Sequence, residues 1–334
     1  MNSKKSVLVV GVGSIGERHV RCFGNTGRAE ISICEINPEL RKKVAERYSP
    51  AHAFASLDDG LNAKPDAVFI CAPADLHIPM ALRAAAANVN LLIEKPLSIN
   101  LNGIAELRRE VAQRNLVAIV AYTYRYHPVL SAMRDAIRSG RFGEPVECVA
   151  VWGQHFPFYR PAYRQIYYRS RATGGGAIQD SITHAVNAAE WLVGPIDALV
   201  ADAGHQVLDG VEVEDTVHVI ARHGNVMGSY SLNQYQAPNE SFITVVCTKG
   251  TARMEFHNCR WMWATEPGAP WNIEPSKMLE RDDLFTAQAN GLLDLLEGKA
   301  PPRCTLNDGE QTLRTNMATL ASVENRAWQK LADL

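Results

Sequence analysis

The chain has 334 residues, 46% of them hydrophobic and 21% charged, with a formal net charge of -2. That length favours two domains and that composition a sizeable globular core, while the near-neutral charge argues against a general attraction to nucleic acid or to an anionic membrane. Seven cysteines, at 22, 34, 71, 148, 247, 259 and 304, are dispersed without a C-x-x-C pair. They read as reduced thiols, with neither a disulfide framework nor a metal site. The apolar run at 7–10 is too short for a secretory signal, and no stretch approaches the ~20 apolar residues of a membrane span. A cytoplasmic protein is expected.

In chain order, short apolar runs alternate with helical patterns over the first ~120 residues. Strands are expected at 6–10, 30–35, 66–72, 90–94 and 116–122, and helices at about 15–24, 39–48, 77–89 and 102–115. Strand and helix in alternation imply right-handed crossovers and a doubly wound parallel sheet. The texture then changes. After a helix at 128–140, strand-like runs follow at 145–153, 198–207, 215–223, 226–235, 241–248 and 251–256, with turn signals at 223–225 and 249–250. This predicts a second domain on a mostly antiparallel sheet, with helices at about 284–297 and 308–330. The expected division is 1–123 and 124–334, with the last helices able to pack back on the first domain.

GVGSIG places Gly11, Gly13 and Gly16 in the G-x-G-x-x-G spacing between a strand and a helix. Gly11 permits the tight turn, Gly13 lets the backbone approach a pyrophosphate, and Gly16 lets the helix pack on the sheet. Ser14 and Ile15 stand at the helix start, where free amides and the dipole attract phosphate. Glu35 ends the second strand, where a carboxylate grips the ribose 2′-hydroxyl of NAD and repels the 2′-phosphate of NADP. NAD is therefore the expected cofactor, with Arg41 and Lys42 near enough to leave NADP a lesser possibility.

Ligands collect at the carboxyl ends of parallel strands. Ala72, Pro73 and His77 in CAPADLH are candidate cofactor-wall residues, with His77 equally readable as a first-turn residue of the next helix. IEKP ends another strand. Lys95 there can hydrogen-bond a substrate hydroxyl and stabilise charge on its oxygen, and Glu94 can orient Lys95 or touch the cofactor. In GGGAIQDSITHAVN, three glycines (174–176) precede Asp180 and His184. Residues four apart share one helical face. The glycines are expected to let the chain approach the cofactor or substrate without a Cβ clash.

GVGSIG, then EKP, then G-G-G-x-x-x-D-x-x-x-H, with R-x-H-P at 125–128 and GEP at 143–145, resembles the Gfo/Idh/MocA oxidoreductases over nearly the whole chain. The resemblance implies an N-terminal Rossmann domain and a C-terminal α/β domain with a large, mostly antiparallel open sheet. Such a sheet commonly packs against another subunit, so a homodimer or homotetramer is expected. It implies hydride transfer between a nicotinamide cofactor and a hydroxyl or carbonyl of a sugar, inositol or related polyol, nucleotide-sugars included. Lys95, Asp180 and His184 match the family's catalytic positions. His184 would be the general base, Asp180 would hold the substrate hydroxyl or orient the base, and Lys95 would support the same oxygen.

Arg125 and His127, at the end of the last strand of the first domain, are candidate substrate contacts. So is Arg164, in the aromatic and basic stretch 152–171. That stretch reads either as a wall binding a sugar by stacking and an anion by charge, or as an oligomer contact or loop packing. Two other classes remain open: a glycoside hydrolase-like enzyme that oxidises its sugar transiently, and a non-catalytic ligand-sensing regulator.

Overall fold

A computed structural model describes residues 4–334. The chain divides into two compact units, one holding residues up to 126 together with 280–310, the other 127–279 with 311–334. The segment 280–310 thus belongs with the N-terminal residues.

The first unit is a six-stranded parallel sheet in the order β3-β2-β1-β4-β5-β6. The strands are β1 (Lys5–Val10), β2 (Ala29–Cys34), β3 (Ala53–Phe54), β4 (Ala67–Ile70), β5 (Asn90–Ile93) and β6 (Ala118–Val120). They are joined through α1 (Ser14–Asn25), α2 (Pro38–Tyr48), α3 (Leu57–Asn62), α4 (His77–Ala86) and α5 (Ile104–Gln113). Beta strands covered on both faces need unbroken apolar runs, and all four residues of β4 are buried. Val7, Val9, Ile33, Phe69, Leu92 and Ile119 form one core, joined by Ala289, Leu292 and Leu293 of the helix Asp283–Leu296. Each Val, Ile, Leu or Phe side chain among them contributes about 1.5–3 kcal/mol by burial. Strand order reverses between β1 and β4, the switch point where an open α/β sheet takes its ligand.

The second unit is built on nine strands in the order β14-β13-β12-β11-β7-β10-β9-β8-β15. These are β7 (Pro145–His155), β8 (Ala198–Gly204), β9 (Thr216–His223), β10 (Val226–Asn233), β11 (Tyr235–Cys247), β12 (Gly250–Glu255), β13 (Arg260–Ala264), β14 (Asn272–Glu274) and β15 (Gln329–Lys330). Every pairing is antiparallel except β7 with β10. In β9, buried Val217, Val219 and Ala221 alternate with exposed His218, Ile220 and Arg222. Helices Pro128–Arg138 and Thr183–Val193 pack on the sheet. Ile220 and Met227 stay 51% and 47% exposed.

Three expectations change. The strand expected at 198–207 stops at Gly204. The fully buried Asp215 carboxylate accepts from the amides of Gln206, Val207 and Leu208 at 2.7–3.1 Å and so folds the following residues into a loop. The last long helix ends at Asn325, not 330. Residues 177–182 form a π-helical turn ahead of the regular helix.

Candidate active site

The glycine loop has the geometry its spacing implies. Gly11 takes φ +80°, and a Cβ on it would lie 3.0–3.1 Å from the backbone of Cys71 and Ala72. A Cβ on Gly16 would meet the Gly11 carbonyl oxygen at 1.8 Å, so only glycine allows this crossing. A Cβ on Gly13 would meet nothing within 4 Å. Gly13 opens α1 without any side-chain cap, so the helix start at Ser14 and Ile15 presents its amides to open space. That is the environment a pyrophosphate requires. Glu35 completes it. One carboxylate oxygen accepts from the Val12 amide and the other from the Asn37 amide, each at 3.0 Å. A carboxylate has lone pairs beyond these two bonds, so Glu35 is fixed beside the loop and still able to accept from ribose hydroxyls. Arg41 donates to the Glu35 main-chain carbonyl at 2.6 Å. These residues fit a bound dinucleotide.

The ends of β4 and β5 lie beside that loop. Ala72 is half-buried and Pro73 exposed. Burial pushes the Cys71 thiol well above its usual range, which leaves it a packing residue. His77 is 1% exposed, with Nδ1 3.0 Å from the Pro96 carbonyl oxygen and Nε2 2.8 Å from that of Ala72. It is the first residue of α4, and its ring fills the space between two loop carbonyls, donating its single N–H to one of them. Glu94 accepts from the Lys95 amide at 2.9 Å and lies 2.8 Å from His19 Nε2. Lys95 itself is half-buried.

In the second unit the glycines make close contacts within the protein. A Cβ on Gly175 would fall 2.1 Å from the Tyr168 carbonyl oxygen. Gly176 takes φ +92°, and its Cβ would fall 2.5 Å from the Glu214 carboxylate. Gly175 and Gly176 thus each have a close approach to the protein itself. Glu214, with a side chain 2% exposed, accepts from the Ile178 amide at 3.0 Å and pairs with Arg171 at 2.8 Å. It thus places negative charge at the start of the helical segment. Asp180 lies in the π turn and His184 in the first turn of the helix Thr183–Val193. Their four-residue spacing therefore crosses a change of helix type, not one regular face; such π turns recur at functional sites. Tyr167 donates to Asp180 Oδ1 at 2.8 Å. Gln234 donates to the Ser181 hydroxyl at 2.8 Å and accepts from Tyr168.

The remaining candidates are held by protein partners. Arg125 is 3% exposed and lies 3.0 Å from both the Asp308 carboxylate and the Arg303 carbonyl. That corrects the expectation of an open substrate contact. His127 caps the helix Pro128–Arg138 by accepting from the Val129 amide at 3.3 Å. Burial pushes its pKa down to about 4, so it is a neutral cap. Arg164 clasps Asp209 by side chain and carbonyl at 2.7 and 2.9 Å. Phe156, Tyr163 and Tyr168 pack with Leu208, Val211 and Val213 into a small core, so much of the aromatic stretch is loop packing. Sequence reasoning missed His19, Tyr167 and Glu214. Only Tyr167 carried a signal, as part of the aromatic stretch.

Comparison with known proteins agrees with this architecture. Residues 5–122 match a family described as oxidoreductases with an NAD-binding Rossmann fold, and residues 130–253 match a GFO/IDH/MocA C-terminal domain. The chain is 30% identical over 313 residues to the rhizopine catabolism protein MocA of Rhizobium meliloti, covering 91% of this chain and 90% of that one. It is 28% identical over 195 residues to an inositol 2-dehydrogenase of Pseudomonas savastanoi pv. phaseolicola, covering 55% of this chain and 53% of that one. The chain thus spans about half the length of that relative and of some others. A levoglucosan dehydrogenase solved with NADH and levoglucosan superposes with a TM-score of 0.88 at 20% identity, over 98% of this chain and 99% of that one.

Proposed function

The chain belongs to the GFO/IDH/MocA oxidoreductase family, and from that membership we propose that it is an NAD-dependent dehydrogenase oxidising a CH–OH group of a neutral sugar or polyol. The observation that carries this reading is the glycine loop. It has an uncapped helix start, a Gly13 with open space where a Cβ would stand, and Glu35 tied to the Val12 amide. NAD, when bound, supplies the hydride acceptor. Lys95 hydrogen-bonds the reacting oxygen and stabilises charge on it. His184 removes the hydroxyl proton as general base. Asp180 holds a substrate hydroxyl, with Tyr167 fixing its carboxylate.

The preference for a neutral substrate has its own support. Arg125 and Arg171 each have a carboxylate partner at 3.0 Å or less. We further propose a cytoplasmic location and a homo-oligomer in which the exposed sheet face around Ile220 and Met227 packs on a second copy.

The test begins with titration of the purified protein by NADH and by NADPH, followed by a screen of inositols, sugars and their phosphates for NAD reduction. Tighter binding of NADH and turnover of neutral polyols are expected. Failure to bind either dinucleotide in cofactor-free protein would remove the dehydrogenase reading. Turnover confined to phosphorylated or nucleotide-linked substrates would remove the neutral-substrate reading.

A further inference from the structure

The three residues Glu94, Lys95 and Pro96 follow β5, and each flank of the lysine is tied to a different helix through a buried histidine. On one side, Glu94 is 5% exposed. Its Oε2 accepts from the Lys95 amide at 2.9 Å and its Oε1 lies 2.8 Å from Nε2 of His19 on α1. His19 is 1% exposed, with its ring 4.0 Å from Phe69 and 5.3 Å from Phe285. On the other side, the Pro96 carbonyl oxygen lies 3.0 Å from Nδ1 of His77 on α4. The second ring nitrogen of His77 reaches Ala72, the residue against which Gly11 is packed.

We infer that His19 and His77 are positioning residues that fix Lys95, one through the Glu94 carboxylate and the other through the Pro96 carbonyl; the inference rests on Lys95 being a catalytic residue. Two features separate this from ordinary core packing. Buried polar side chains are costly unless they are hydrogen-bonded, and an apolar residue would fill either site without that cost. Both histidines nonetheless direct their polar atoms to the same three-residue loop. Both also stand beside the cofactor loop, His19 on α1, which that loop opens, and His77 with its ring next to Ala72, against which Gly11 packs. The lysine is thereby held in register with the dinucleotide-binding loop by two independent routes. Reacting groups need this, because a misplacement of about 1 Å costs up to about a hundredfold in rate.

The chemistry of the two ties makes the inference testable by matched amides. Asparagine places its amide where a histidine has Nδ1, and glutamine where it has Nε2. Burial favours neutral His77, which has a single N–H for two carbonyl acceptors; the positioning role requires that proton on Nδ1, toward Pro96, so His77→Asn keeps that donor and His77→Gln offers one only toward Ala72. His19→Gln keeps the tie to Glu94, and His19→Asn loses it. The first readout needs no substrate: competitive acetylation of lysines by acetic anhydride, with peptides quantified by mass spectrometry and exposed Lys42 as internal reference. Folded protein is counted by NADH titration.

His77→Gln and His19→Asn are expected to change Lys95 labelling by about threefold or more, as a side chain released from a fixed environment should. His77→Asn and His19→Gln should label as wild type. With a polyol that reduces NAD, the first pair should lose about ten- to a hundredfold in kcat, with KM for that polyol little changed. Unchanged Lys95 labelling in both His77→Gln and His19→Asn overturns the inference whatever the activity. If one of these variants does not fold, the other decides alone. If labelling shifts as expected but Lys95→Ala turns over like wild type, the catalytic role of Lys95 falls and the positioning remains.

Discussion

Substituting Gly176 by alanine separates two accounts of why three glycines stand before Asp180. The structure gives the size of the effect. At φ +92° and ψ 164° an alanine sits in a backbone region that essentially only glycine adopts, at a cost of about 1–3 kcal/mol. Its Cβ would also stand 2.5 Å from Oε1 and 3.0 Å from Cδ of Glu214, so that carboxylate must move. Moving it weakens the bond from the Ile178 amide and the pair with Arg171. A hydrogen bond to a charged group contributes about 1.5–3 kcal/mol. The total is about 2.5–6 kcal/mol, a large part of the ~5–15 kcal/mol that holds a typical domain. Thermal unfolding of the cofactor-free protein should show the second unit melting about 10 °C lower. Gly13→Ala is the control, since its Cβ meets no protein atom. It should leave the cofactor-free melt unchanged and weaken NADH binding. An unchanged melt for Gly176→Ala, with only KM raised, would refute the packing account and restore approach to ligand as the reason for the glycine.

Three other outcomes are expected. Tyr167→Phe removes the donor to Asp180 and should lower kcat about three- to tenfold, since an exposed tie is worth less than a buried one; steady-state kinetics with unchanged NADH affinity would show it. Glu35→Ala frees the Val12 and Asn37 amides and should weaken NADH about tenfold while narrowing its advantage over NADPH, read by nicotinamide fluorescence. His127 has a folded pKa of about 4 against an ordinary 6.5. The unfolded chain therefore takes up the proton first as pH falls, and stability is full above about pH 6.5 and declines toward pH 4, by up to ~3 kcal/mol. His127→Asn keeps a capping oxygen and should remove that part of the slope, measured by urea unfolding across this range.

The parallel half of the fold is legible because strands covered on both faces must be continuous apolar runs, and β1, β4 and β5 are such runs. The glycine loop is legible for a related reason. Gly11 and Gly16 answer contacts within a short stretch of chain or at the end of a neighbouring strand, and Gly13 leaves open space at the helix start. The turn at 177–182 is not legible. A spacing of four residues fits an α-helix equally well, and the wider turn stands on Glu214, 36 residues from the Ile178 amide that it accepts from. His19 is hidden for the same reason. Nothing in the α1 pattern says that a histidine there meets a carboxylate 75 residues away.

Charge shows the same limit with a consequence for substrate. Counted along the chain, the arginines of 152–171 suggest a site for an anion. In space they differ from one another. Arg164 meets an Asp209 whose side chain is 74% exposed; such a surface pair is worth about 0–1 kcal/mol and yields readily to another anion. Arg171 instead meets a Glu214 that is 2% exposed and also bound to the Ile178 amide. Taking Arg171 away would leave a buried carboxylate without its counter-charge; because the Arg171 side chain is itself 53% exposed, the loss is about 1–3 kcal/mol. Arg125, with a side chain 4% exposed and paired to Asp308, is confined more fully. An anionic substrate recruiting these two would first have to undo the protein's own electrostatics, whereas the hydroxyls of a neutral polyol ask for no such exchange. The argument for a neutral substrate therefore stands on Arg125 and Arg171 alone; Arg164 and the exposed Arg160 and Arg169 carry none of it.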